Sequence, residues 1–237
     1  AAMDYAGLAG LVATKLELYR GDPGGWRSCR RTVSGAGPGG GRQRRAAAAQ
    51  APLPCPQDEV TVSWRPSDEF AGKIYRGDGF MPASPADVWE HVKPVAGGLR
   101  VEWDENVKDF EVMEMVAENI SICRTTTPSV FRKIISPREF VDVVVTKQYE
   151  DGTMLSAATH VEHALCPPQA NFVRGLNYPC GSFCIPVPGE SNKTQVLTFF
   201  QTDLGGYLPQ TVVESFFPAT IAGFYSNLKK AVETFKS

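Results

Sequence analysis

The chain has 237 residues, 43% of them apolar and 21% charged, with a formal net charge of −2 and a pI near 6.0. This is ordinary globular composition on a chain long enough to bury a substantial core. The charge balance offers no positive field for nucleic acid or an anionic membrane, and no run of about 18 apolar residues is present to span a bilayer.

The first segment, Ala1 to Arg20, has no basic stretch ahead of its apolar part and does not read as a secretory signal. Within it Leu8, Leu11, Val12, Leu16 and Tyr19 recur at helical spacing, and Gly21 with Pro23 ends the pattern, which predicts a first helix. Val33 to Gln57 is almost entirely Gly, Ala, Pro, Gln and Arg. Such a composition buries too little surface to offset the entropy of ordering, so a disordered insertion is expected at 33–57, with the basic run Arg42 to Arg45 solvated.

After the insertion, Glu59 to Pro66 alternates and is rich in β-branched residues, and Gly72 to Met81 follows across turn residues, predicting a hairpin. Ser84 as N-cap, Pro85 in the first turn and Asp87 predict a short helix. Strand-like runs then occupy Val107–Val116, Ile120–Thr127, Glu139–Tyr149, Thr153–His163, Phe172–Pro179 and Thr194–Leu204, separated by Gly, Pro, Asp and Asn clusters as in a large antiparallel sheet. Finally Val213, Phe217, Ile221, Phe224, Leu228, Val232 and Phe235 form one apolar stripe, predicting a helix of about seven turns bent near Pro218. The expected class is α+β in a single domain spanning 1–237, a curled antiparallel sheet around the terminal helix.

Catalytic and metal-binding patterns are weak throughout. Cys180 and Cys184, with His160 and His163, approach zinc-ligand spacing. An extended strand, however, sets those sulfurs about 13 Å apart, so the six cysteines (Cys29, Cys55, Cys123, Cys166, Cys180, Cys184) read as reduced, mostly buried thiols of a cytosolic protein. A nucleophilic cysteine would need a positioned histidine and an acid such as Glu162, and no pattern links them. Asp104 and Glu105 are adjacent and read as a capped, solvated turn rather than a glycosidase pair. The glycines of Arg76–Gly79 and Asp203–Gly206 lack the helix that a phosphate loop leads into. A curled sheet over a long helix can equally be filled or enclose a cavity for an apolar ligand, and the pattern alone leaves both open.

Six collinear motifs carry a resemblance: VSWRPSDEFAGKIYRG, GGLRVEWDENV, ISPREFVDVV, ATHVEHALCPP, FVRGLNYPCGSFCIPVPG and TDLGGYLPQTVV. Together they resemble the START (StAR-related lipid transfer) domain, most of all its small, soluble, single-domain sterol- and bile-acid-binding subgroup. The resemblance spans Leu8 to about Phe235 and leaves only the insertion unmatched. It implies a helix-grip fold, with the C-terminal helix as a lid over a lipid-sized tunnel. It also implies a non-catalytic carrier that needs no cofactor or metal. Such a carrier would take one cholesterol, oxysterol or bile acid between intracellular membranes, with a phospholipid or ceramide as the alternative cargo, working as a cytoplasmic monomer that touches membranes transiently and binds no nucleic acid. The turn Tyr149 to Met154 would correspond to a mobile loop beside the tunnel mouth, with Gly152, Met154 and Leu155 at its membrane-touching tip.

Steroidogenic members of that family carry a buried acid–arginine pair, whose positions fall here on Thr125 and Val144. Both charges are absent, and the hydroxyls left behind favour a more oxidised ligand. By strand periodicity Thr125 brings Cys123 and Thr127 to the same face, and Val144 brings Asp142 and Thr146. Phe217, Ile221 and Phe224 would supply the helix side of the tunnel. Arg100 and Trp103, placed near the sheet edge, complete the expected lining, with Arg100 a partner for a bile-acid carboxylate. Arg138 and Glu139 are expected to form a structural ion pair, and Arg124 to face outward.

Overall fold

A computed structural model describes residues 2–29, 60–130 and 133–234, and the expected insertion at 33–57 and Phe235 lie outside them. The first helix, α1 (Tyr5–Gly21), starts where Asp4 accepts a hydrogen bond from the Gly7 amide at 2.9 Å. Its buried stripe is Ala9, Val12, Ala13, Leu16 and Tyr19, while Leu11 turns outward. Strands β1 (Arg27–Ser28), β2 (Thr61–Pro66) and β3 (Lys73–Met81) follow. Helix α2 (Pro85–Val92) has the expected cap, Ser84 Oγ accepting from the Asp87 amide at 3.2 Å. A four-residue helix, α3 (Arg100–Trp103), comes next and has no clear signature in the sequence.

The remaining strands are β4 (Asp109–Ala117), β5 (Ile120–Thr126), β6 (Arg138–Gln148), β7 (Met154–His160), β8 (Val173–Arg174), β9 (Leu176–Asn177), β10 (Cys180–Val187), β11 (Glu190–Phe200) and β12 (Thr202–Asp203). Helix α4 (Gln210–Thr234) follows them and contains Pro218. Among the described residues the main sheet runs β1-β2-β3-β11-β10-β7-β6-β5-β4, with β8 beside β6, and β9 pairs with β12 in a separate ribbon. Every pairing among these strands is antiparallel except β6 with β8. The sheet is open, ending at β1 and β4, and with the terminal helix it forms the helix-grip architecture of an α+β protein.

The two faces of the sheet have different fates. One packs on α1 through Ile122, Val143, Leu155, Phe183 and Leu197. The other faces α4, whose Phe217, Ile221, Phe224, Tyr225 and Leu228 are buried against Tyr75, Cys184 and Val196. The period of two makes this division automatic: in β7, Leu155, Ala157 and Thr159 are buried toward α1, while Met154, Ser156, Ala158 and His160 lie on the opposite face.

Two glycines let the long helix approach the sheet. A Cβ at Gly77 would sit 2.6 Å from a Tyr225 ring carbon and 3.0 Å from Ile221 Cγ2, and one at Gly79 would lie 3.0 Å from the Tyr225 ring. The Arg76–Gly79 stretch is therefore the seat of α4. Tyr225 OH locks it by donating to the Val196 carbonyl at 2.8 Å.

Strand alternation also separates Arg138 from Glu139, so the expected ion pair between them does not form. Arg138 is buried and donates to the carbonyls of Leu204, Gly205 and Ser136. Glu139, fully buried, instead accepts from Arg124 and Arg174, each at 3.1 Å. Burial works to raise the Glu139 pKa, but the Gln169 amide and these two guanidinium groups hold it below the ordinary carboxylate value.

Candidate functional site

Between the sheet and α4 lies a cavity of about 220 Å³, with a smaller one of about 120 Å³ beside it; Asn106, Thr127, Phe140, Asn177 and Thr202 line both. Its floor is built by the α4-facing residues of β5, β6, β7, β10 and β11, and Phe224 forms its roof. Thr125, Thr127, Asp142 and Val144 all line it, so two adjacent strands bring together the residues that periodicity placed on one face. The smaller compartment is bounded by Phe216, Phe217 and Thr220 of α4 and by Val130 and Ile135 of the β5–β6 connection.

The chemical focus is Asp142. It is 6% exposed, and Oδ2 accepts from Asn177 Nδ2 at 2.9 Å. Oδ1 is buried with no hydrogen-bond partner among the described residues. Burial pushes this carboxyl up to about 7, with the Asn177 bond and the charge of Arg174 opposing the rise. Asn177 is itself fixed: its Oδ1 accepts from Thr202 Oγ1 at 2.7 Å, and its carbonyl accepts from Thr159 Oγ1 at 3.2 Å with the His160 ring Nδ1 at 2.7 Å. The result is a rigid, half-satisfied acid on the wall of the chamber. A buried polar atom without a partner costs on the order of 1–3 kcal/mol, and a ligand hydroxyl placed there would recover it.

Several expected lining residues are elsewhere. Cys123 is buried beside Ser121, 3.2 Å away, and does not reach the cavity. Thr146 lies on β6 beyond the lined stretch. Ile221 packs over Gly77 on β3, and Phe217 serves the smaller compartment. Trp103 is on α3 rather than a sheet edge; its Nε1 donates to the His91 carbonyl at 2.8 Å and its ring lies against Phe224. Arg100 does line the cavity, but its Nε donates to Asp104 Oδ2 at 3.0 Å. Asp104 is buried, not part of a solvated turn.

Of Gly152, Met154 and Leu155, expected at a mobile tip, Leu155 does not fit that position. Residues Tyr149 to Thr153 form a tight hairpin turn, with Gly152 N donating to Tyr149 O and Tyr149 N to Thr153 O. Gly152 takes φ +87°, and Asp151 Oδ1 accepts from the Thr153 amide. Leu155 is fully buried in the α1-side core, so it touches no membrane. The Asp-Gly pair makes a short turn rather than a long loop. The connection that bounds the chamber is instead the one between β5 and β6, where Ile134 is exposed and Lys133 takes φ +66°.

Cys180 and Cys184 sit on one strand and one face, as extended geometry required. Cys180 lines the cavity and donates weakly to the Ala158 carbonyl at 3.6 Å, and burial raises both thiols, Cys184 to about 12. His160 bonds to Asn177, and His163 Nε2 lies 2.7 Å from Glu114 Oε2. No group of three or more His, Cys, Asp or Glu is placed to hold a metal among the described residues. Asn177, Thr202, Ser156, Ser182 and Thr198 also line the chamber, although local sequence marks Asn177 as a turn residue. The alternation Ser156-x-Ala158-x-His160 and Cys180-x-Ser182-x-Cys184, small or polar at every second position, is the signal that points to them.

Similarity to known proteins agrees with this geometry. The profile of the START domain matches residues 53–237. StAR-related lipid transfer protein 5 from Mus musculus is 51% identical over 224 residues, covering 94% of this chain and 93% of that protein. StAR-related lipid transfer protein 4 from Homo sapiens is 36% identical over 174 residues, covering 73% and 82% respectively. The solved structure of human StAR-related lipid transfer protein 5 superposes with a TM-score of 0.84 at 48% identity, covering 98% of each chain.

Proposed function

The chain belongs to the START domain family, and from that premise we propose that it binds one hydroxylated, sterol-like lipid beneath α4 and transfers it between membranes without altering it. Its relatives are named for lipid transfer. In this reading the protein acts as a cytoplasmic monomer, contacts intracellular membranes transiently, and uses no cofactor. The observation that carries the ligand assignment is the unpartnered Asp142 Oδ1 on the wall of the chamber. When ionised, that oxygen only accepts, so it selects a ligand that donates, and a hydroxyl on a rigid apolar body is the simplest such group. Burying that body contributes about 25 cal/mol per Å², and the single hydroxyl fixes its orientation.

A neutral hydroxylated sterol fits this lining better than a bile-acid anion. The acid of the chamber would repel a carboxylate, and Arg100, the cation on its wall, is already engaged by Asp104. A phospholipid would need more room: ligand pockets of about 300 Å³ already suit small drug-sized molecules, which is near what the two compartments offer. Passage of the ligand requires α4 or the adjacent β5–β6 connection to move aside.

Native mass spectrometry after incubation with cholesterol, an oxysterol, bile acids and phosphatidylcholine tests the proposal. One equivalent of a neutral sterol is expected, with Asp142→Asn weakening it by about tenfold for the lost charge-assisted hydrogen bond. Retention of phosphatidylcholine alone, or of no lipid, would reject it.

A further inference from the structure

The main sheet ends at β4, and among the described residues no strand pairs with the outer side of that strand. Its later half is blunted: the register with β5 shifts between Val112 and Glu114 and again between Met115 and Ala117. Bulges of this kind twist an edge away from further pairing. The first stretch is different. Asp109 to Val112 pairs residue for residue with Thr126 to Cys123 of β5 and leaves a regular, open edge.

A groove of about 490 Å³ runs along that stretch. Lys108 to Glu111 form one side of it, and residues of the α2–α3 connection between Lys93 and Val101 form another. It meets the chamber under α4 only at Pro94, Arg100 and Phe110, which line both. Val95 and Val101 are 41% and 40% exposed there, an aliphatic surface left in water. The charges of the groove are unevenly engaged. Thr126 Oγ1 donates to Asp109 at 3.0 Å, and Arg124 pairs with Glu111 at 3.0 Å. Arg100 is held by Asp104, and Lys93 by an exposed pair with Glu90 on its own helix face. Lys108 is exposed and pairs with no carboxylate among the described residues.

We propose that this groove is a protein-interaction site that takes an extended segment of a partner protein as an added strand on β4. Unpaired backbone N–H and C=O groups of the edge supply the attraction. The side chains around it supply the selection, because opposite charges and apolar pairs across two strands favour pairing and like charges oppose it. The segment therefore carries acidic and aliphatic residues at every second position, toward Lys93, Lys108, Val95 and Val101. Neutral or basic residues occupy the positions between, toward Asp109 and Glu111. A second copy of this chain fits worse: laid antiparallel on itself about Phe110, β4 would set Asp109 against Glu111. Four regular residues make a small contact, so a transient, micromolar complex is expected. The site is separate from the lipid chamber and does not depend on what that chamber holds.

The test titrates the full chain into a fluorescein-labelled peptide, DTVKETV, whose acids and valines alternate with Thr and Lys. Fluorescence polarisation should show saturable binding that weakens as salt rises, and amide NMR shifts should concentrate at Asp109 to Val112. The control peptide KTVKKTV should bind at least about tenfold more weakly. Lys93→Glu/Lys108→Glu should lower affinity for DTVKETV about tenfold, and Lys108→Gln alone about threefold. Neither lysine lines the chamber, so lipid uptake should be unchanged in both variants. No saturable binding of DTVKETV, equal binding of the control, shifts centred away from β4, or affinity unmoved by both variants overturns the proposal. So does self-association of the chain that the lysine variants abolish, or Lys108-dependent binding to phosphatidylserine vesicles in place of the peptide.

Discussion

Asp142→Asn should stabilise the protein, and by an amount that depends on pH. The folded state lifts the Asp142 pKa from its ordinary 3.8 to about 7. A raised carboxyl favours the protonated form in the folded state, so the unfolded chain releases its proton first as pH rises. Folding stability therefore falls between about pH 4 and pH 7 and is flat above that. At about 1.4 kcal/mol per tenfold change, the full cost is about 4 kcal/mol above pH 8 and about 2 kcal/mol at pH 5. Asparagine carries no such cost and can keep the contact with Asn177. Urea unfolding followed by tryptophan fluorescence, wild type against variant, should show the variant gaining about 2 kcal/mol more at pH 8.5 than at pH 5. The comparison cancels every other titrating group. A stability difference independent of pH would refute the claim that Asp142 is buried and under-bonded.

Two further substitutions separate packing from binding. Gly77→Ala places a methyl 2.6 Å from the Tyr225 ring, so α4 must lift; a loss of about 1–3 kcal/mol is expected by thermal unfolding, as for other overpacked sites. Glu139→Ala leaves Arg124 and Arg174 without the carboxylate they share; chemical denaturation should report a loss of about 3 kcal/mol or more. Because Glu139 does not line the cavity, sterol affinity of the folded fraction should be unchanged.

Local and periodic features are legible in the amino-acid sequence. Hydrophobic spacing locates α1 and α4, the Ser84-Pro85-Asp87 signature locates α2, and alternation locates the long strands. Alternation also puts Thr125, Thr127, Asp142 and Val144 on one face, because the period of two is a property of the strand itself. Collinear motifs suffice for the family, and with it the helix-grip architecture.

What sequence does not supply is which strand lies beside which, and at what level. Asp142 meets Asn177 only because β9 comes across from β6, 35 residues later in the chain. The chamber hydroxyls of Ser156, Ser182 and Thr198 meet only because β7, β10 and β11 align them at one height. Ile221 is absent from the lining because Gly77 lets the helix sink onto β3, and Leu155 is no part of a lid because the Asp-Gly turn puts it on the α1 side. The sequence by itself determined the elements and their faces, since those depend on neighbours within a few residues. Tertiary structure alone decided the polar content of the chamber, since hydrogen bonds between distant strands depend on register and on how closely the terminal helix packs.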